Sequence, residues 1–384
     1  MVNNKRRPIK VLNVLWKLDV GGMEASLVAL LTHLDPGQFQ MDFLVTSQYE
    51  GDYDAVVKKM GARIVLGKDR FSPGHNLRDL AAVNRRFGPY DVLHSHRHYS
   101  GAPLLRAAHQ LGVPLRIAHS HTIPTMKGSA FDRARVAIAR RLVRRHCTHG
   151  LAVSRAAAAS LFGERWESDQ RFRVLPRGCD FEAFRATDSR ERVRRELGIG
   201  ADEMALVHVA SFNDNGNHEF IVEVGWEFSR LAPQFRIVLI GDGPLLHHIQ
   251  SQVAFAGLSD RVMFLGEQPD LHALLLAMDA LIFPSNVETL GIAVVEAQAA
   301  GLVCFLSDRV VPEVDAVPEL LHRIPMEAGP GAWAREIFAH GRAPITQAEA
   351  LERCMAGELG IESYVECHKR LYTSTLDPQQ AREI

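Results

Sequence analysis

The chain has 384 residues, 47% of them apolar and 23% charged, with a formal net charge of -1. That length accommodates two domains with sizeable cores, and that charge gives no reason to expect a nucleic-acid partner. No apolar run reaches the roughly 20 residues needed to span a bilayer. The opening stretch "MVNNKRRPIKVLNVLWKLDVGG" is basic and then apolar, as a signal peptide begins. Lys10, Asn13 and Lys17 interrupt the apolar run and a glycine pair follows it, which reads as the first buried strand of a cytoplasmic protein. The cysteines, Cys147, Cys179, Cys304, Cys354 and Cys367, form no C-x-x-C pair and are odd in number, so reduced, buried thiols are expected.

In chain order, β-rich runs lie at Ile9–Trp16, Met41–Val45, Arg63–Leu66, Asp91–His94, Leu115–His119 and Gly150–Val153. Between them run patterns of helical period, among them Met23–Leu34, Leu77–Phe87 and Ala102–Leu111. Such alternation predicts a parallel sheet covered on both faces. A break falls near "VLPRGCDFEAF" (174–184) and the charged run "TDSRERVRREL" (187–197), and then the pattern restarts. Strands are predicted at 204–210, 236–240, 262–265, 280–285 and 302–306, with helical stretches between. The α/β chain therefore divides into 1–184, 185–359 and a last segment, 360–384. Two doubly wound domains in tandem would leave a cleft at the carboxyl ends of their sheets, and ligands of such folds bind at strand-to-helix turns.

Several turns are candidates. Gly21 and Gly22 in "LDVGGMEASL" stand between a strand and a helix, where bare backbone amides and the helix N-terminus suit an anion; a plain tight turn fits equally, and G-x-G-x-x-G is absent. Gly241 and Gly243 in "GDGPL" pose the same pair of readings. In "PSNVETLGIAVVEAQAAG" (284–301), Glu288 precedes a helix and Glu296 lies about two turns along, facing a similar direction. A carboxylate amid apolar packing needs hydrogen-bond partners, and sugar hydroxyls are suitable ones; two surface glutamates, one favoured by the helix dipole, are the plainer reading.

His94, His96, His98, His119 and His121 end two strand candidates. Their alternate spacing suits a metal, but no cysteine or carboxylate set accompanies them, and polar cleft residues or a hydrogen bond to substrate are expected instead. The stretch "FDRARVAIARRLVRRHC" (131–147) carries an apolar stripe of Phe131, Ala134, Ile138 and Leu142, with Arg133, Arg140 and Arg144 on another side. A solvated helix face and an interfacial helix drawn to anionic lipid both fit it.

Together these pieces resemble a two-domain glycosyltransferase of the GT-B fold, and more narrowly the retaining family 4 enzymes of exopolysaccharide and lipopolysaccharide synthesis. The likeness covers most of the chain and rests on "GGMEASL", "HSH", "LAVS" (151–154), "GDGPL", "FPS" and the glutamate pair followed by "AQAAG", all in family order. "GIESYVECHKRLY" (360–372) resembles the terminal helix that returns to the first domain. The resemblance implies two Rossmann-like domains with an interdomain cleft. Gly21 and Gly22 would lie near the diphosphate, as would the amides of Leu290 and Gly291. His121 would contact the transferred sugar, Glu288 would accept from its hydroxyls, and Glu296 would hold the nucleotide ribose. It further implies a UDP- or GDP-linked sugar donor, a lipid-linked or glycan acceptor, no cofactor and no catalytic metal, and a cytoplasmic protein peripheral to the membrane. Catalysis would lie in positioning and in stabilising the leaving diphosphate.

The chain departs from the family pattern at one turn. Family members show G-R-F-x-x-x-K-N-H where this chain has Ala210 to His218: Ser211 replaces the arginine, Gly216 replaces the lysine, and Asp214 adds a negative charge. Arg177, where the family has asparagine in a P-N-G turn, is a second departure. Three functions fit: an active transferase whose positive charge comes from elsewhere, a non-catalytic subunit that binds a partner or glycan, and an enzyme of this fold with a changed ligand.

Overall fold

The computed structural model of the chain describes residues 7–66, 76–124, 129–186, 189–268, 271–287 and 290–374. Contacts divide it into two compact units, Met1–Gly178 with Ile361–Ile384, and Cys179–Gly360.

The first unit alternates β1 (Ile9–Leu15), α1 (Gly22–His33), β2 (Phe39–Val45), α2 (Asp54–Lys59), β3 (Arg63–Leu66), α3 (Asn76–Phe87), β4 (Val92–Ser95), α4 (Ala102–Gln110), β5 (Leu115–Ser120), α5 (Ala130–His146), β6 (His149–Ala152), α6 (Arg155–Phe162) and β7 (Phe172–Val174). The strands form one parallel sheet in the order β3-β2-β1-β4-β5-β6-β7. β1 is buried almost throughout, as a strand covered on both faces must be. β7 escapes sequence reading because it has three residues and an exposed Arg173 in the middle.

The second unit runs α7 (Arg190–Glu196), β8 (Met204–Val209), α8 (His218–Ser229), β9 (Phe235–Ile240), α9 (Leu246–Phe255), β10 (Val262–Phe264), α10 (Leu271–Ala277), β11 (Ala280–Phe283), α11 (Ile292–Ala299), β12 (Val303–Ser307), β13 (Leu321–Ile324), α12 (Pro330–His340) and α13 (Gln347–Ala356). Its parallel sheet has the order β10-β9-β8-β11-β12-β13. β11 stops before Pro284, which has no N–H to give the ladder. β13 is an edge strand with His322 and Arg323 in its centre, a composition that carries no strand signal.

The last helix, α14 (Ile361–Thr373), belongs to the first unit. It buries Ile361, Tyr364, Val365, His368, Leu371 and Tyr372 at helical spacing, in the same core as Phe43 and Leu27. Gly178 is required beneath it, since a Cβ there would lie 2.4 Å from the Tyr364 Cβ. The second core gathers Phe228, Phe235, Phe305 and Trp333. Both sheets reverse strand order once, between β1 and β4 and between β8 and β11. Loops leaving such neighbouring strands converge beyond their carboxyl ends, which is where ligands of open α/β sheets bind.

Candidate functional site

In the second unit, β8 and β11 pair directly, Ala280 opposite Leu206, so the loops that follow them meet. The loop at 211–217 is latched to the loop at 284–287 by side chain and backbone. Asn286 N and Ser285 Oγ both donate to the Asn215 carbonyl at 3.0 Å, Asn286 Nδ2 donates to the Asp214 carbonyl at 2.9 Å, and Asn217 Nδ2 donates to the Pro284 carbonyl at 3.0 Å. Within the first loop Asn213 Oδ1 accepts from the amides of Asn215 and Gly216, a turn typical of asparagine. Asn217 then takes the left-handed conformation, φ 54°, and starts α8.

Gly216 occupies a place that has no room for a side chain. A Cβ there would lie 2.7 Å from the Ser211 carbonyl oxygen and 2.8 Å from His218 Cε1. Ser211 is exposed and Gly216 buried. His218 stacks on Phe212 with ring centroids 3.9 Å apart and meets His208 edge-on at 4.7 Å. Burial pushes His218 down to about 4 and His208 down to about 3, so both rings are neutral at physiological pH. The turn thus has apolar and neutral packing where the family pattern implied cations.

The glycines of "GDGPL" are set by the same packing. Gly241 has φ 136° and Gly243 has φ 155°; Cβ atoms on them would lie 2.1 Å from the Ala210 carbonyl oxygen and 2.6 Å from that of Phe212. The Phe212 amide donates to the Asp242 carbonyl, and the Leu245 amide returns to the Phe212 carbonyl. Close backbone approach accounts for both glycines.

Leu290 is buried, and Gly291, which has no side chain to cap the first amides, stands at the N-cap of α11 in a left-handed conformation, φ 73°. Glu296 lies in the second turn of that helix, which begins at Ile292 rather than near residue 288. Burial pushes its carboxyl up to about 7. Its neighbour in the motif, Gln298, is structural: its amide donates to the Val294 and Val314 carbonyls and accepts from the amides of Ala316 and Val317. Glu288 lies outside the described residues.

One cation at this site was not anticipated. Arg309, two residues beyond β12, donates through Nη1 to Asn286 Oδ1 at 3.0 Å and pairs with Glu327 at 3.3 Å. Its side chain is 44% exposed, so it stands at the latched loops with donors left over. The signal was an arginine just past a strand end in the second α/β unit, but adjacency to Asn286 is a product of strand order.

In the first unit, Gly21 precedes α1 in extended backbone, and a Cβ on it would lie 2.6 Å from Glu24 Oε2. Glu24 therefore leans over the helix start, and burial raises its pKa while Arg177 opposes the shift. The histidines meet beneath the carboxyl ends of β4 and β5. His96 Nδ1 lies 2.8 Å from His121 Nε2, and His96 Nε2 lies 3.2 Å from Asn13 Oδ1. His94 Nε2 lies 3.2 Å from His119 Nδ1, and His94 Nδ1 lies 3.0 Å from the Tyr372 hydroxyl. Burial and neighbouring imidazoles hold His94, His119 and His121 well below the usual histidine range. His98 stands apart, 3.0 Å from Ser160 Oγ. Arg177 lies within electrostatic reach of Glu24, His119 and His121, which its place in the sequence did not reveal.

The arginines of α5 do not act as one face. Arg144 is drawn inward, donating to the Phe162 carbonyl at 2.7 Å and lying over the Phe172 ring, and Arg140 is half-buried. That corrects the grouping of Arg133, Arg140 and Arg144, because Val136 and Val143 turn that side of the helix toward the core. Exposed are Arg133, Arg135, Arg141 and Arg145, beside Phe131 at 71% and Ile138 at 62%. Among the described residues no helix is long and apolar enough to cross a membrane, and none of the five cysteines is in a disulfide.

Residues 20–183 match the model of Glycosyltransferase Family 4, and residues 189–319 that of Glycosyl transferases group 1. The chain is 30% identical over 361 residues to EpsF of Bacillus subtilis (strain 168), a protein named as a glycosyltransferase, covering 92% of this chain and 93% of EpsF. It is 24% identical over 235 residues to the UDP-Gal:alpha-D-GlcNAc-diphosphoundecaprenol alpha-1,3-galactosyltransferase of Escherichia coli, covering 57% of this chain and 58% of that one. Its fold matches that of Anabaena HepE, solved in complex with UDP, with a TM-score of 0.79 at 17% identity over 95% of this chain and 100% of HepE. Twin parallel sheets, the returning helix and these matches together make the chain a glycosyltransferase of the GT-B type, in the group 1 and family 4 class.

Proposed function

We propose that this protein transfers a hexose, with retention, from a UDP- or GDP-linked donor to a lipid-linked or glycan acceptor in the synthesis of cell-surface polysaccharide. The observation that carries this reading is Glu296. It is a carboxyl pushed up to about 7 by burial, one turn into a helix whose N-cap is a glycine. A half-buried acceptor of this kind is suited to a ribose diol, and the amides of a helix start are suited to a diphosphate. His121 would meet the sugar, and Glu288 would accept from its hydroxyls. In the transfer, the leaving diphosphate oxygen takes the proton of the acceptor hydroxyl. The bond from the anomeric carbon to the diphosphate breaks, and the glycosidic bond forms on the same face. Arg309 supplies positive charge at the latched loops in place of the absent arginine and lysine. Support also comes from relatives: the galactosyltransferase of Escherichia coli is named for UDP-Gal and a diphosphoundecaprenol acceptor, and HepE was solved with UDP-glucose.

A second reading, a non-catalytic subunit that binds a partner or a glycan, is favoured by the closed packing around Gly216. Calorimetric titration with UDP, GDP and their sugar conjugates separates the two. Saturable binding of a nucleotide sugar that is lost in Glu296→Gln supports transfer. No binding of any of them supports the second reading.

The exposed Phe131 and Ile138, flanked by Arg135, Arg141 and Arg145, suit a shallow seat on anionic lipid, near the lipid-linked acceptor.

A further inference from the structure

The ring nitrogens of the histidine cluster are not all used by one another. Among the described residues, His119 Nε2 and His121 Nδ1 are buried without a hydrogen-bond partner, although the two residues are 0% and 7% exposed. Buried polar atoms left in this way are uncommon and call for a reason. The hydrogen-bond chain supplies the protonation pattern. Asn13 Oδ1 can only accept, so His96 Nε2 carries the proton facing it and His96 Nδ1 is a lone pair. His121 Nε2 then donates to that lone pair, and His121 Nδ1 is a second lone pair, facing no donor. Neutral imidazole, whose proton can pass from one ring nitrogen to the other, is the form in which histidine binds a metal.

We infer that His96, His119 and His121 form a binding site for a late first-row divalent ion, of the class of Zn2+, Co2+ or Ni2+. One nitrogen from each ring lies within 4.8 Å of the others. In a tetrahedral zinc site neighbouring ligand atoms are about 3.3 Å apart, from bonds of roughly 2.0–2.1 Å. When the ion binds, the His96 Nδ1–His121 Nε2 hydrogen bond gives way: His121 carries its proton on Nδ1, and the two nitrogens, 2.8 Å apart without the ion, open by about half an ångström to that spacing. Outer partners of the kind that orient metal-bound histidines are in place: Asn13 behind His96, and His94, itself held by Tyr372, behind His119. His96 and His121 keep 8% and 7% of their surface exposed, so the open fourth position can take water or an anion. Arg177 works against a dication here and favours an anion in that position. All-imidazole ligation discriminates against Mg2+, which takes oxygen ligands.

The ion is no part of the transfer chemistry. If His121 also meets the sugar, as the proposed function has it, a bound ion occupies the same ring and opposes transfer. Ion binding itself does not depend on that reading. The test is therefore made without substrate. The full chain, stripped by a chelator, is titrated with Co2+, and the visible ligand-field absorption and bound metal content are followed. One equivalent is expected, displaced by Zn2+ and not by Mg2+. Binding is lost in His96→Ala and His121→Ala and weakened about 10–100-fold in Asn13→Ala. His368→Ala, which touches a neighbouring triad of His94, His119 and His368, keeps it. Circular dichroism establishes that each variant is folded. Because a ligand that binds only the native state raises its melting temperature, Zn2+ raises that of the parent and not that of folded His121→Gln. Uptake that survives both His96→Ala and His121→Ala, loss in His368→Ala alone, or no uptake by the parent overturns the assignment.

Discussion

A Cβ on Gly216 would sit 2.7 Å from the carbonyl oxygen of Ser211. The two positions at which the family pattern has lysine and arginine are thus in contact through the backbone, and the loop between them is closed around a glycine. Restoring the cations is not symmetrical. Ser211→Arg places a long side chain on an exposed residue, and its effect on stability is expected within about 0.5 kcal/mol. Gly216→Lys must push the loop open and is expected to cost about 1–3 kcal/mol. Urea unfolding of the two single variants checks this. Equal stabilities would mean that the loop yields freely.

Arg309 offers the alternative source of charge. Arg309→Gln is expected to weaken UDP binding about tenfold, the lower end for a charge-assisted contact, because the side chain is half-exposed. Uridine lacks the diphosphate and should bind both proteins alike. Calorimetry with both ligands makes the comparison, and an equal loss for uridine would move Arg309 away from the phosphates.

Glu296 gives two pH effects. Its folded pKa is raised, to about 7, so the folded state holds the proton more tightly than the unfolded chain. The contribution is present below the unfolded value, about 4.5, and is lost as pH rises through 7. Glu296→Gln is therefore expected to gain stability relative to the parent between pH 5 and pH 8 (roughly the span of that transition). Nucleotide binding through the ionised carboxylate should release a proton near neutral pH. Calorimetry in buffers of different ionisation enthalpy measures it, and a binding heat independent of buffer would exclude that role.

His218 and His208 act in the opposite sense. Their folded pKa values, about 4 and about 3, lie below the unfolded value of 6.5. Their contribution is present above 6.5 and is lost as pH falls through the folded values. His218→Phe keeps a ring on Phe212 without the titration, and should flatten the acid limb of the stability profile. Thermal melts from pH 7 to pH 4 read this directly (a range chosen to bracket the charging of free histidine).

For α5, Phe131→Ser with Ile138→Ser should abolish sedimentation with anionic liposomes, whereas Arg144→Gln should leave it intact while lowering stability, because Arg144 serves Phe162 and Phe172. Loss with Arg144→Gln alone would return the membrane face to the other side of the helix.

Strands such as β1, β9 and β12 were legible because burial on both faces of a parallel sheet demands a continuous apolar run. The helix α14 was legible through its resemblance to the family's terminal helix, and its buried side chains fall at helical spacing. The motif glycines and Glu296 could be picked out as residue types suited to a ligand. Their roles could not, because Gly241, Gly243 and Gly216 are explained by distances to Ala210, Phe212 and Ser211 across separate loops. β7 and β13 were missed since short strands with central arginines lack periodicity. Arg309 beside Asn286, Arg177 near His121, and the pairing of His96 with Asn13 depend on which strands neighbour one another. Sequence by itself determined the alternation of elements and the chemistry available. Tertiary structure alone decided which of those groups meet, because strand order brings together residues that are far apart along the chain.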